Sequence, residues 1–189
     1  VIKRTKIDGL VIIGGDGSYR GALALSRDYK IPCVGVPGTI DNDLGGTDYT
    51  IGSDTALNTA LEAIDKIRDT LTSLERIFVV EVMGRHCGYI GLNVALAGGA
   101  EQVVIPEMPF DISQMCSEIS EGYIRGKASW LIIVAEGTIG AEVLARKIKE
   151  NTNLETRVVV LGHIQRGGCP TAKDRVLATC LGSAAVDSL

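Results

Sequence analysis

Short runs of valine, isoleucine and leucine alternate along this chain with longer segments of helical periodicity, which restricts the folds that it can adopt. Residues 10–13 form a continuous apolar run of strand length. Residues 54–71 place Leu57, Leu61 and Ile64 at the spacing of one helix face. Strands that are apolar on both faces and separated by helices are typical of a parallel sheet covered by helices on both sides. We therefore predict an α/β fold.

The same patterns predict the order of the elements. The predicted strands are 10–13, 33–36, 77–82, 102–105, 131–135 and 156–161. The predicted helices are 19–29, 54–71, 89–97, 112–125, 141–151 and 173–186, and Ser53 and Asp111 are predicted to cap the second and the fourth. Residues 41–52 are rich in Asp, Gly and Thr and have no period, so we predict a loop there.

Charge and composition exclude several classes of partner. The net charge is -4 and no long run of Lys or Arg occurs, so no nucleic-acid surface is expected. No apolar stretch approaches the roughly 20 residues that cross a bilayer, so no membrane span is expected. The five cysteines are widely spaced and form no Cys-x-x-Cys pair, which disfavours a disulfide scaffold or structural zinc and favours a reducing cytoplasm.

Polar or glycine-rich clusters follow five of the predicted strands. Ligands of parallel α/β sheets bind beyond the carboxyl ends of the strands, so these clusters are candidates for one site. They are residues 14–18, 39–43, 83–85, 136–137 and 162–168.

Residues 14–18, which we call the glycine turn, read Gly-Gly-Asp-Gly-Ser and lead from a strand into a helix. Backbone N–H groups at such a turn bind phosphate, although the Gly-Lys-Ser/Thr ending of a P-loop is absent. Asp16 would repel bare phosphate, so its natural use is to hold Mg²⁺ against phosphate oxygens. Taken alone, the segment could equally be a plain strand-to-helix turn.

Residues 39–43, which we call the aspartate loop, carry Asp41 and Asp43 two positions apart. Two close carboxylates are costly unless a metal, an arginine or a substrate shares their charge. One of them could accept the proton of an attacking hydroxyl. A solvated Asx turn is the alternative for this loop alone. The presence of both clusters in one chain favours a catalytic site.

Cationic side chains adjoin several of the predicted strands. Arg85, His163 and Arg166 lie beside glycines, which favours a role in binding an anionic substrate. Surface charges, or a hydrogen-bonded core histidine at His163, are the alternatives. Arg76 and Arg157 begin strands and so belong to the opposite edge of the sheet. They could serve this site only across a subunit contact.

At these residues the chain resembles the phosphofructokinase family, in particular its ATP-dependent 6-phosphofructokinases. The resemblance rests on residues 13–18, 37–43, 46–50, 80–85 and 161–168 and so extends over nearly the whole chain. It implies a three-layer αβα fold with mostly parallel sheets in two Rossmann-like lobes. Residues 1–52 with 166–189 would belong to the nucleotide lobe, and residues 53–165 would form the sugar-phosphate lobe.

The resemblance also implies the reaction and the roles of the residues. The family transfers the γ-phosphoryl group of ATP to the 1-hydroxyl of fructose 6-phosphate, with Mg²⁺, in glycolysis. Asp41 would be the catalytic base, with Thr39, Asp43 and Arg85 around the transferring phosphoryl group. Gly15, Asp16, Gly17, Ser18 and Gly21 would bind the nucleotide, with Asp16 on the metal. Thr39, Asp41, Met83, Gly84, Arg85, Glu136, His163 and Arg166 would bind the sugar phosphate, joined by Arg76 and Arg157 from a neighbouring subunit.

Three further expectations come from the resemblance. The family is usually a cytoplasmic homotetramer. Arg68, Glu101, Arg125 and Lys127 fall at positions similar to its allosteric site for nucleoside diphosphate and phosphoenolpyruvate. Members begin with another strand and a glycine-rich nucleotide loop before the position of Val1, and they continue past Leu189. We therefore expect an internal fragment that lacks full activity by itself.

The phosphoryl donor and two other functions remain to be weighed. Pyrophosphate-using relatives typically carry Asp at the position of Gly17 and Lys at that of Gly38, so glycine at both positions favours ATP. Lipid and NAD kinases share the Gly-Gly-Asp-Gly turn but lack the aspartate loop. A regulatory subunit without activity would tend to lose the base, whereas Asp41 is present.

Overall fold

We describe residues 7–71, 76–127 and 129–189 of a computed structural model of the chain. The strands are β1 (Leu10–Gly14), β2 (Cys33–Pro37), β3 (Ile77–Val82), β4 (Gln102–Val104), β5 (Trp130–Ala135) and β6 (Thr156–Val160). The helices are α1 (Asp16–Tyr29), α2 (Ser53–Leu71), α3 (Tyr89–Gly98), α4 (Ile112–Ile124), α5 (Ala141–Thr152) and α6 (Ala172–Asp187). Every predicted strand and helix is confirmed. The largest shift is at α1, which begins at Asp16 rather than at residue 19.

The strands form two parallel sheets in two compact units, whereas periodicity alone predicted a single sheet. Unit 1 runs to Asp54 and resumes with Pro170–Leu189, and unit 2 is Thr55–Cys169. Unit 1 holds the pair β1-β2, and unit 2 holds the sheet β4-β5-β3-β6. An apolar run identifies a strand but not its partner, so the sequence pattern could not separate the two sheets. The division expected from the family resemblance lies within a few residues of these boundaries.

Unit 2 has three layers because helices bury both faces of its sheet. On one face Val79, Ile132 and Val134 pack in a buried cluster with Ile119 of α4 and Leu144 of α5. The residues that alternate with them on β3 and β5, including Val80 and Ile133, are buried too. On that second face α3 lies so close that a Cβ on its Gly91 would be 3.5 Å from the side chain of Ala135. A fully buried aliphatic side chain contributes about 1.5–3 kcal/mol, so these two faces hold unit 2 together.

Unit 1 is built on the parallel register of β1 and β2, which runs from Leu10 opposite Cys33 to Gly14 opposite Pro37. Helix α1 packs on this pair, because a Cβ at Gly35 would lie only 2.7 Å from the ring of Tyr19. Both strands therefore end at the same edge, where the polar segments of unit 1 follow them.

One of the two predicted helix caps is confirmed. Asp111 accepts hydrogen bonds from the backbone N–H groups of Ser113 (2.7 Å) and Gln114 (3.4 Å) at the start of α4. The cap predicted at Ser53 is wrong. Ser53 is the first residue of α2, and its hydroxyl donates to the carbonyl of Thr50 at 2.8 Å. A serine before an apolar periodic run suits either position, so the sequence could not decide between them.

The sequence patterns missed one element, a 3₁₀ turn at Gly162–Arg166 that carries His163 and Arg166. Within the described ranges, none of the helices combines the length and the apolarity needed to span a membrane.

Candidate active site

The glycine turn and the aspartate loop lie side by side at the carboxyl edge of the sheet of unit 1. The N–H of Gly38 donates to the carbonyl of Gly14 at 3.0 Å and so continues the ladder between the two strands. A Cβ at Gly15 would lie 3.4 Å from the Cβ of Thr39, so the two segments are in contact there. The structure therefore brings together the two clusters that the sequence separates by about twenty residues.

The glycine turn presents an uncapped helix start. Gly15 precedes α1 in an extended conformation (φ -98°) and offers no side chain to the first N–H groups of the helix. Gly17, Ser18 and Gly21 are exposed, and a Cβ at Gly17 or Gly21 would meet nothing within 4 Å. N–H groups at an uncapped helix start, together with the helix dipole, favour an anion.

Asp16 begins α1 with its carboxylate exposed. Arg20, one turn along the helix, places its Nε 3.0 Å and 3.2 Å from the two carboxylate oxygens. A single exposed carboxylate suits Mg²⁺, which usually keeps several waters and binds one or two carboxylates together with substrate phosphates. The residues present thus fit the metal, provided that Arg20 gives up one oxygen of Asp16.

The two carboxylates of the aspartate loop differ in their surroundings. Asp41 is only 6% exposed, whereas Asp43 is exposed. The Thr39 hydroxyl binds both the side chain and the backbone of Asp41. It donates to Asp41 Oδ2 at 3.4 Å and accepts from the Asp41 N–H at 3.3 Å. A buried, oriented carboxylate is the better candidate for a proton acceptor, and an exposed one is better suited to balance charge.

In unit 2, two side chains connect the end of β3 to the end of β5 and to the 3₁₀ turn. Each accepts hydrogen bonds from backbone N–H groups after β3. Glu136 Oε1 accepts from Arg85 (2.8 Å) and Gly84 (3.4 Å). Gln165 Oε1 accepts from Met83 at 2.9 Å. The structure therefore gathers Met83, Gly84, Arg85 and Glu136 at one edge of this sheet, beside the turn that bears His163 and Arg166.

The backbone after β3 is held in an uncommon conformation. Gly84 has φ +144° and Arg85 has φ +52°. A Cβ at residue 84 would overlap the carbonyl oxygen of Cys87, so only glycine fits there. Arg85 is exposed, as are His163 and Arg166, while Met83 is buried. Left-handed backbone at a residue other than glycine often marks a functional site.

Arg76 and Arg157 lie at the opposite edge of this sheet from Met83 and Glu136, as their positions at strand starts predicted. Both bind Glu155, with Arg76 Nε at 3.0 Å and Arg157 Nη2 at 2.5 Å from its carboxylate oxygens. Desolvation raises the pKa of Glu155, but the two guanidinium groups outweigh it and leave this pKa below its ordinary value. Within the described part of one chain, the ion pairs of both arginines are with Glu155 rather than with another predicted site residue.

Three of the four predicted effector residues border a common region of unit 2. Arg125 and Lys127 line a groove of about 410 Å³ together with Trp130. Lys127 pairs with Glu101 at 2.8 Å and lies 5.0 Å from the centre of the Trp130 ring. The fourth, Arg68 on α2, donates to the carbonyl of Gly98 instead.

Sequence reasoning missed the polar residues that hold these segments in place. Gln165 is 1% exposed and Thr50 is fully buried, although both belong to motifs that also contain exposed residues. A buried amide or hydroxyl needs hydrogen-bond partners, so a polar residue inside a motif is a signal for such an anchor. The sequence alone does not show which atoms it binds.

A parallel α/β fold with a glycine turn, a buried carboxylate and arginines at its strand ends is typical of proteins that bind phosphorylated ligands. The family model described as phosphofructokinase matches residues 1–189. The chain therefore belongs to the phosphofructokinase family.

Individual relatives give the same result. The ATP-dependent 6-phosphofructokinase of Bacillus subtilis (strain 168) is 59% identical over 188 residues, which cover 100% of this chain and 59% of the relative. The solved phosphofructokinase of Saccharomyces cerevisiae superposes with a TM-score of 0.88 at 35% identity, over 98% of this chain and 29% of that one. A pyrophosphate-dependent phosphofructokinase from Marinobacter aquaeolei superposes with a TM-score of 0.79 at 29% identity, over 98% of this chain and 53% of that one. The chain thus spans about 59% of the length of the curated relatives it matches.

We predict that Glu155→Gln lowers the melting temperature at neutral pH and that the difference from wild type shrinks in acid. A carboxylate whose pKa is lowered by folding contributes stability above its unfolded pKa, which is about 4.3 for glutamate, and loses it as the pH falls through the folded pKa. Thermal unfolding between about pH 3 and pH 8 measures this difference. Glu150→Gln, at an exposed glutamate of α5, is the control. A difference that persists undiminished at the acidic end would contradict the role of the arginine pair.

Proposed function

We propose that the protein is an ATP-dependent 6-phosphofructokinase that converts fructose 6-phosphate and ATP to fructose 1,6-bisphosphate and ADP. One observation carries the proposal: Thr39, which binds the buried carboxylate of Asp41, lies against a glycine turn that starts a helix and bears an exposed Asp16. The identity of 59% to a relative of that name supports the same reaction. Unit 1 would bind the nucleotide and unit 2 the sugar phosphate.

Asp41 is proposed as the base for the acceptor. Its carboxylate takes the proton of the 1-hydroxyl as the hydroxyl oxygen forms a bond to the γ-phosphorus and the bond from that phosphorus to ADP breaks. The hydroxyl of Thr39, 3.4 Å from Asp41 Oδ2, orients the carboxylate. The low exposure of Asp41 keeps competing water away from it.

At the donor end, the N–H groups of the glycine turn and of the first turn of α1 bind phosphate oxygens. Asp16 would hold Mg²⁺, which neutralises charge on the nucleotide phosphates when it is bound. Arg85 and Asp43, both exposed, would position the transferring phosphoryl group.

The acceptor would bind at the strand ends of unit 2, through Met83, Gly84, Arg85, Glu136, His163 and Arg166. Glu136 already holds two backbone N–H groups through Oε1, which leaves Oε2 for a sugar hydroxyl. Arg76 and Arg157 lie at the other edge of the sheet and would reach the 6-phosphate of a substrate bound to a neighbouring copy. The proposal therefore includes a homo-oligomer, a tetramer as in the family, that acts in the cytoplasm.

The space around two glycines supports ATP over pyrophosphate as the donor. Gly17 has open space where a side chain would stand, so its lack of one leaves room for a nucleotide. At Gly38 a Cβ would lie 2.8 Å from Cγ2 of Ile13, so a larger residue does not fit beside this isoleucine. Pyrophosphate-using relatives typically place Asp and Lys at these two positions.

Regulation is proposed at the groove of unit 2 that Arg125 and Lys127 line. Lys127 lies over the Trp130 ring and Arg125 lines the same groove, which suits an anion that carries an aromatic ring, such as a nucleoside diphosphate. Glu101 and Arg68 complete the proposed effector set. Both are already fixed by contacts, to Lys127 and to the carbonyl of Gly98 respectively.

We predict that Asp41→Asn lowers kcat by about 10²–10⁴-fold, because a general base contributes about that much, while sugar-phosphate binding is retained. A coupled assay on the complete gene product, with ATP and separately with pyrophosphate, measures the rate, and calorimetry measures the binding. Asp48→Asn, at an exposed aspartate between β2 and α2, is the matched control and should stay near wild type. Activity with pyrophosphate but none with ATP would exclude the proposed donor, and an active Asp41→Asn would exclude the proposed base.

We predict that Gly17→Asp lowers kcat/KM for ATP by roughly tenfold or more, because its carboxylate would repel the nucleotide phosphates at close range. The position is open, so the melting temperature should stay near that of wild type. Gly17→Ala adds only an uncharged methyl group and should keep most of the ATP activity. If Gly17→Ala is impaired as much as Gly17→Asp, repulsion by the carboxylate is not the cause of the loss and the charge argument for the donor fails.

We predict that Arg76→Ala and Asp41→Asn complement each other when the two variants are co-expressed. A hybrid oligomer contains sites that join an intact Asp41 from one copy to an intact Arg76 from another. At low fructose 6-phosphate its activity should therefore exceed the summed activity of the separate variants. Co-expression of Arg76→Ala with the double variant Arg76→Ala/Asp41→Asn is the control that should show no gain. Equal activity in the two mixtures would contradict the shared site.

A further inference from the structure

We propose that Thr50 is a positioning residue for catalysis, which holds the aspartate loop so that Asp41 meets the acceptor hydroxyl in one orientation. The proposal rests on the proposed function of Asp41 as the base. Thr50 lies nine positions beyond Asp41 and is fully buried. It binds the residues on both sides of Asp41 in the chain.

Three short contacts join Thr50 to the aspartate loop. Its Oγ1 lies 2.6 Å from the carbonyl oxygen of Thr39 and 3.1 Å from Oδ1 of Asn42. A hydroxyl has one proton, and the shorter distance assigns it to Thr39. The backbone N–H of Thr50 donates to Asn42 Oδ1 at 2.8 Å. Thr39 and Asn42 flank the two-residue segment that ends in Asp41, so Thr50 fixes both ends of it.

The aspartate loop needs such an anchor because no ladder or helix determines its path. Residues 38–52 contain neither a strand nor a helix. Asn42 has φ +51°, a left-handed conformation that asparagine adopts more readily than most residues. Both ends of the Asn42 amide make hydrogen bonds. Oδ1 accepts from Thr50, and Nδ2 donates to the carbonyl of Asp48 at 3.2 Å. The conformation beside Asp41 is therefore fixed by side-chain hydrogen bonds.

Thr50 is itself tied to the rigid part of unit 1. The next residue, Ile51, donates its N–H to the carbonyl of Pro37 at the end of β2, at 2.8 Å. The N–H of Gly52 donates at 2.9 Å to Oδ1 of Asp174, a buried residue in the first turn of α6. Thr50 is thus fixed relative to β2 and α6, and through its hydrogen bonds it holds the loop that carries the proposed base.

This arrangement affects the chemical step more than binding. Thr50 is buried and its side chain contacts Thr39 and Asn42, so it acts on the reaction through the position of Asp41. A reacting group displaced by about 1 Å can lose about 10²-fold in rate. Loss of the hydroxyl should therefore lower kcat and leave the KM for ATP nearly unchanged.

The test compares Thr50→Val, which keeps the shape and removes the hydroxyl, with Thr50→Ser, which keeps the hydroxyl, in the complete gene product. We expect Thr50→Val to lower kcat by about 10²-fold and Thr50→Ser to recover most of it. Thr47→Val is the matched control, because it also removes a threonine hydroxyl between β2 and α2. The hydrogen bond lost is the one from Thr47 Oγ1 to the carbonyl of Tyr49 at 2.8 Å. This variant should keep kcat near that of wild type.

A double-mutant cycle separates positioning from general damage. In the Asp41→Asn background, Thr50→Val should lower the residual kcat little further, because the group that it positions is already gone. A full and independent loss in that background would overturn the proposal, and so would a Thr50→Val variant with the kcat of wild type or a Thr50→Ser variant that fails to recover.

Failure of the proposed function remains distinguishable from failure of this inference. If wild type lacks phosphofructokinase activity, the proposed function is wrong, and amide hydrogen exchange then decides the role of Thr50. Thr50→Val should speed exchange at Asp41 and Asn42, whereas Thr47→Val should not. Unchanged exchange at both residues would overturn the positioning role independently of any activity.

Discussion

The parallel pairing of strands, with both members of a pair ending at the same edge, is the constraint on which each unit depends. In unit 1 the ladder between β1 and β2 ends with Gly14 opposite Pro37, and Gly38 extends it by one more hydrogen bond. The glycine turn and the aspartate loop then have to begin side by side. In unit 2, β3 runs parallel to both β5 and β6, so Met83 and Glu136 leave the sheet at one edge. The chemistry of the chain follows from these registers.

At both edges the side chains proposed to bind a ligand belong to segments that neighbouring polar side chains hold by hydrogen bonds. Arg85 is exposed, but its N–H is fixed by Glu136. The 3₁₀ turn that bears His163 is joined to β3 by the buried amide of Gln165. In unit 1, the hydroxyl of Thr39 donates to the carboxylate of Asp41, and the hydroxyl of Thr50 donates to the carbonyl of Thr39. Preorganised groups of this kind avoid the cost of reorganisation during a reaction.

The sequence predicted the elements well because apolar periodicity follows directly from burial. Strands such as β3 and β5 have buried residues on both faces, and most of their residues are apolar. Partners between distant residues were not predictable, because hydrogen bonds such as that from Thr50 to Thr39 leave no periodic trace. For the same reason the sequence does not separate the two sheets, and it does not show that the Ser53 hydroxyl binds the carbonyl of Thr50. The contrast between buried Asp41 and exposed Asp43 also depends on the folded path of the loop.

The close approach of Gly38 to Ile13 limits which substitutions this chain can accept at position 38. A side chain can be added at Gly17 without meeting any neighbour, whereas one at Gly38 meets Cγ2 of Ile13, an atom attached directly to the β-carbon. Isoleucine is stiff about χ1 and cannot easily turn that methyl away. A lineage could therefore change position 17 in one step, but position 38 would first require a smaller residue at position 13. The packing around β1 therefore restricts the order in which these positions can change without strain.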